Sequence, residues 1–176
     1  MTARERCDSH ILFVGFMGSG KTSVSRRLSS ITGLSLIDLD QRICALEHKS
    51  IPKIFDEVGE EGFREIETST LAGIAFEGKS IVGCGGGVVC NPANRALLKT
   101  LGTVVYLKVP LEESIRRISH PETRPLLSGP RPVEEIYAER QPLYAEVADI
   151  TVESAGMSVA DVAQLCRSRL EERGVL

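Results

Sequence analysis

Ile11-Leu12-Phe13-Val14-Gly15-Phe16-Met17-Gly18-Ser19-Gly20-Lys21-Thr22 decides the fold of this chain. Its first four residues form a short apolar run stopped by glycine, the pattern of a strand buried on both faces. Gly15 to Thr22 matches G-x-x-x-x-G-K-[ST], and after it Val24, Leu28 and Ile31 recur at helical spacing until Gly33 offers a left-handed cap. A strand, a glycine-rich loop and a helix in that order bind phosphate. Glycine lets successive backbone N–H groups converge on anionic oxygens, and the helix N-terminus adds partial positive charge. Lys21 then reaches the β- and γ-phosphates and Thr22 offers a hydroxyl to Mg²⁺. Gly18, Ser19, Gly20, Lys21, Thr22 and Ser23 are the expected nucleotide-binding residues.

Outward from this unit, Leu34–Leu39, Ser80–Cys84, Thr103–Val109 and Asp149–Glu153 read as further strands. Apolar positions between Ile43 and Ile74 read as helical segments broken near Ser50-Ile51-Pro52 and at Gly59. Leu111–Ile118 and Val133–Val147 read as helices, the second interrupted by Pro142, and Ser158 caps a last amphipathic helix reaching Arg169. Strands alternating with helices predict an α/β fold: one five-stranded parallel sheet, helices on both faces, ligands beyond the strands' C-terminal ends. Residues 119–132 mix proline, glycine, serine and charge without helical spacing, which suggests a mobile lid. The expected organisation is a single domain over 1–176, with its core at 10–176, a helical insertion at about 41–75 and the lid at about 119–132.

Composition supports this and narrows the function. The chain has 176 residues, 42% of them hydrophobic and only 5% aromatic, so its core is aliphatic. A net charge of −3 argues against a nucleic-acid binder. The polar N-terminus and the shortness of every apolar run predict a cytoplasmic protein with no membrane partner. Five scattered cysteines, none in Cys-x-x-Cys spacing, point to reduced thiols.

The phosphate loop alone does not name the phosphate acceptor. A guanine-nucleotide switch needs Asn-Lys-x-Asp, and neither Asn91 nor Asn94 is followed by lysine. A motor ATPase would carry a strand ending in an acid, whereas Ile81-Val82 runs into glycines. The acid nearest the loop is Asp38, suited to hold magnesium-bound water. Asp38 and Asp40 are one residue apart, so in a continuing strand they would face opposite ways.

Asp38-x-Asp40, Phe55-x-x-x-Gly59-Glu60-x-x-Phe63-Arg64-x-x-Glu67, Gly85-Gly86-Gly87, Arg124-Pro125-Leu126-Leu127 and Arg140-x-Pro142-Leu143-Tyr144 follow the phosphate loop in this order. The series resembles shikimate kinase from Ile11 to Glu153. The resemblance implies a P-loop kinase fold, like that of nucleoside monophosphate kinases, and MgATP-dependent phosphorylation of the 3-hydroxyl of shikimate. In that family the counterparts of Arg64 and Arg140 clamp the substrate carboxylate, that of Asp40 bonds the ring hydroxyls, and Gly86, flanked by Gly85 and Gly87, meets substrate through its backbone. Planar guanidinium forks suit a carboxylate.

By the same resemblance Arg124 is a lid arginine over the phosphates and Arg117 packs against adenine, so base selectivity rests on Arg117. Lys21, Asp40 and Arg124 form the expected catalytic set, with Asp40 acting as a base or as an orienter of the attacking hydroxyl. Thr22 and Asp38 are the expected metal contacts. From the residues alone, Arg64 could equally be paired along a helix with Glu60 or Glu67, and Arg140 could lie on a solvated face. The competing functions are another metabolite kinase, such as a gluconate or nucleoside monophosphate kinase, and a non-catalytic nucleotide-binding relative. Shikimate and ATP are the expected partners of a monomer.

Overall fold

The structure is a computed structural model that describes residues 9–118 and 131–176. Arg124, and the expected lid apart from Arg131 and Pro132, lie outside the described residues. Strands β1 (His10–Val14), β2 (Ser35–Asp38), β3 (Ser80–Gly83), β4 (Gly102–Lys108) and β5 (Ile150–Glu153) form a parallel sheet in the order β2-β3-β1-β4-β5. Every residue of β1 is buried, as the apolar run Ile11–Val14 requires of a central strand. Its alternate side chains feed two cores. Leu12 and Val14 join one face, while Ile11 and Phe13 join the other.

Helix α1 (Lys21–Thr32) begins after Gly20, at φ 91°, and ends at Gly33, at φ 75°, whose N–H donates to the Ser29 carbonyl. It packs Val24 and Leu28 beneath the same sheet face as α7 (Val159–Glu172), which Ser158 caps by accepting from the Asp161 N–H. On the other face lie α2 (Leu39–Glu47) and α3 (Ile51–Gly73). Helix α3 starts with Pro52 in its first turn and bends at Gly59 (φ 70°, ψ −175°), with the Phe55 and Phe63 rings 4.5 Å apart across the bend.

Four elements depart from the sequence reading. Strand β2 stops at Asp38, whose carboxylate caps α2 by accepting from the Gln41 N–H at 3.1 Å. Because helical geometry takes over, Asp38 and Asp40 do not face opposite ways; both line one cavity. Helix α4 (Pro92–Leu101) was not expected. It is capped by the Asn91 carboxamide, which accepts from the Ala93 N–H at 2.9 Å, and follows a short 3₁₀ turn, Val88–Cys90. Helix α5 (Leu111–Arg116) ends early, whereas α6 (Val133–Val147) runs through Pro142 without interruption. Burial of Ile136, Arg140, Tyr144 and Val147 along one side of α6 outweighs the hydrogen bond that proline cannot make.

Candidate active site

The phosphate loop is held in shape by close backbone approach. A Cβ on Gly15 (φ 148°) would come within 2.6 Å of the Leu107 carbonyl oxygen, and one on Gly18 (φ 74°) within 2.2 Å of the Ser114 carbonyl oxygen. Only glycine fits either position. Lys21 Nζ donates to the carbonyls of Gly15 and Phe16, each at 2.8 Å, and approaches Ser19 Oγ at 3.4 Å. Its ammonium group therefore stands at the mouth of the loop, at the N-terminus of α1.

Beside the loop opens a cavity of about 520 Å³, lined by Lys21, Thr22, Ser23, Asp38, Asp40 and Arg117 among others. Thr22 and Asp38 present hard oxygen donors next to the lysine, a set whose chemistry fits magnesium. At the far end Arg117 donates to the Ser154 carbonyl at 3.3 Å and pairs with Glu113. The Gly156 N–H, together with Arg117, holds the Glu113 carboxyl below the usual carboxylate range. Met157, Val159 and Val162 add an apolar wall there. Sequence reading missed that wall, because Val159 and Val162 belong to the helical stripe that reads as core.

After β3 the chain crosses toward the phosphate loop, Cys84 N–H donating to the Phe13 carbonyl at 3.1 Å, and enters Gly85-Gly86-Gly87. Each glycine faces a different part of the site. A Cβ on Gly85 would meet Asp40 Oδ1 at 2.8 Å and Glu67 Oε1 at 3.2 Å; one on Gly87 would meet Arg64 Nη2 at 2.3 Å. One on Gly86 would lie 3.3 Å from the Met17 nitrogen of the phosphate loop, and the Gly86 carbonyl accepts from Arg140 Nη1 at 3.4 Å. Asp40, Arg140 and Arg64 are thus gathered around one glycine triplet, against the loop that carries Lys21.

The helical pairing of Arg64 is present as well: Nη1 donates to Glu67 at 2.9 Å and Nη2 to Glu60 at 3.2 Å. Glu67 is only 1% exposed, and burial pushes its carboxyl up, against the opposing pull of Arg64. Arg140 is not on a solvated face; it is 6% exposed. Cys84 lines the cavity with its thiol pushed up by burial, which disfavours the reactive thiolate.

A glycine-rich loop shaped to receive phosphate, beside an aspartate and two arginines gathered on a glycine triplet, is the arrangement of a nucleotide-dependent phosphotransferase acting on a small acid. The family model "Shikimate kinase" matches residues 17–171. The shikimate kinase of Halorhodospira halophila is 43% identical over 92% of this chain and 93% of its own length. A shikimate kinase from Acinetobacter baumannii, solved in complex with shikimate, superposes with a TM-score of 0.90 at 34% identity, covering 97% of this chain and 98% of that one. Thymidylate kinase from Candida albicans shares the fold alone, with a TM-score of 0.63 at 15% identity. The chain belongs to the shikimate kinase family.

Proposed function

We propose that this protein transfers the γ-phosphoryl group of ATP to the 3-hydroxyl of shikimate, releasing shikimate 3-phosphate and ADP, a step toward chorismate and the aromatic amino acids. The observation that carries this reading is the placement of Asp40, Arg140 and Arg64 on three consecutive glycines packed against the phosphate loop.

Arg64 and Arg140 hold the acceptor's carboxylate, with Glu67 fixing Arg64 so that less side-chain freedom is lost on binding. Asp40 bonds the ring hydroxyls and directs the attacking oxygen, accepting its proton or orienting it. Phosphoryl transfer depends mainly on position and charge, and the N-terminus of α1 and Lys21 stabilise negative charge on the transferring group. Thr22 and Asp38 would hold magnesium, which supplies further charge neutralisation at the phosphates. Arg124, outside the described residues, is proposed to approach those phosphates from the lid, and Arg117 to pack on adenine.

The protein is proposed to act as a cytoplasmic monomer, one domain carrying both sites. Among the described residues no helix is long and apolar enough to cross a membrane. Lys21 and Asp40 line the same cavity, which favours a working enzyme over a silent nucleotide binder. An ADP-release assay with shikimate, gluconate and nucleoside monophosphates offered separately tests the assignment. Release with shikimate alone is expected; preference for either other acceptor would overturn it.

A further inference from the structure

The Leu143-Tyr144 end of the Arg140 segment has no part in the roles described so far. Tyr144 is fully buried, its ring stacked on Tyr106 with centroids 5.2 Å apart. Phenylalanine would fill that space as well, and a phenol hydroxyl in an apolar core is costly unless bonded. The Tyr144 hydroxyl donates to the carbonyl oxygen of Gly86 and also meets the Arg140 guanidinium.

That carbonyl is shared. Arg140, one helical turn before Tyr144 on the same side of α6, reaches it at 3.4 Å, a long contact that does not hold a peptide in place by itself. On its other side Gly86 touches the phosphate loop, its Cβ position lying 3.3 Å from the Met17 nitrogen and 3.6 Å from the Gly15 oxygen. Because the peptide is planar and trans, turning the Gly86 carbonyl into α6 also turns the Gly87 N–H away from α6. Gly87 in turn supports Arg64.

We propose that Tyr144 is a positioning residue: its hydroxyl locks the Gly86–Gly87 peptide and the neighbouring Arg140 guanidinium, setting the acceptor pocket in register with the phosphate loop. The inference rests on the acceptor site assigned above. It separates the hydroxyl's role from the ring's, since the ring packs the core and the hydroxyl orders the site.

The test is steady-state kinetics of Tyr144→Phe, with Tyr106→Phe as a control from the same stacked pair. Loss of a partner by a buried carbonyl predicts a rise in the KM for shikimate of about 10-fold in Tyr144→Phe. ADP affinity by titration should be unchanged, and Tyr106→Phe should keep the wild-type KM. A Tyr144→Phe variant with lowered thermal stability but wild-type KM and kcat would overturn the proposal, leaving the hydroxyl a purely structural role. Arg140→Ala is run alongside: an unchanged shikimate KM there defeats the acceptor-site assignment itself, whereas a raised KM there and an unchanged one in Tyr144→Phe defeats only this inference. If Tyr144→Phe yields no folded protein, 4-aminophenylalanine at position 144 restores a donor. Recovery with near-wild-type KM then supports the proposal, and recovery with a raised KM counts against it.

Discussion

The guanidinium of Arg64 lies on the Cα of Gly87, so closely that a Cβ there would sit 2.3 Å from Nη2 and 2.6 Å from Cζ. No side chain fits at position 87 while Arg64 keeps its place. Gly87→Ala should therefore displace Arg64 and raise the KM for shikimate by about 10-fold or more, with little change in the KM for ATP. Gly73→Ala, where the added Cβ meets nothing within 4 Å, is the control and should behave as wild type. Equal kinetics in the two variants would show that Arg64 has no part in acceptor binding.

Arg64→Ala and Arg140→Ala should each raise the shikimate KM by about 10- to 100-fold, the worth of a charge-assisted hydrogen bond in a mostly buried site. Lys21→Ala acts on charge that develops during transfer and should lower kcat by about 100-fold or more. Titration with ADP separates the cases: the arginine variants should bind nucleotide normally. Equal loss of nucleotide affinity in all three would erase the division between the acceptor-binding arginines and the phosphate loop.

Glu67 gives the protein a pH signature. Burial raises its folded-state pKa, so the folded protein holds that proton more tightly than the unfolded chain does. The resulting stabilisation is complete below the ordinary glutamate range, about pH 4, and is lost as pH rises through the raised value. Glu67→Gln cannot titrate. The melting temperature of wild type relative to Glu67→Gln should accordingly be highest in acid and decline toward neutral pH; a difference that is flat, or grows with pH, refutes this account.

Arg117 stands between Gly20 and the Ser154 carbonyl, at the end of the cavity walled by Met157, Val159 and Val162. If it stacks on the purine, Arg117→Ala should raise the KM for ATP by about 3- to 10-fold. It should also bring the kcat/KM values for ATP and GTP closer together. An unaltered ATP:GTP ratio would place base selection elsewhere.

Much of this was legible in the sequence, for reasons that differ by element. The helix expected after the phosphate loop and before Gly33 coincides with α1 because a glycine at each end supplies a backbone conformation that other residues avoid. Helix α4 escaped notice because Asn94 puts a polar residue on its buried stripe beside Leu98 and Leu101, blurring the period. The directions of Asp38 and Asp40 depend on where β2 gives way to α2: the opposed facing of a continuing strand does not arise, because the cap that Asp38 makes ends the strand there. Arg64 and Arg140 could not be told from surface arginines by spacing. Their gathering around Gly85 to Gly87 is tertiary, joining α3, α6 and the end of β3 across the chain.

Gly18, Gly85 and Gly86 line the cavity with main chain, and added side chains at Gly15, Gly18, Gly85 or Gly87 would collide with Leu107, Ser114, Asp40 or Arg64. An inhibitor that seats on those backbone atoms meets a surface that point mutation cannot reshape without disabling the enzyme. Resistance to such a compound should arise instead at Met157, Val159 and Val162, lining positions where a different side chain can be carried.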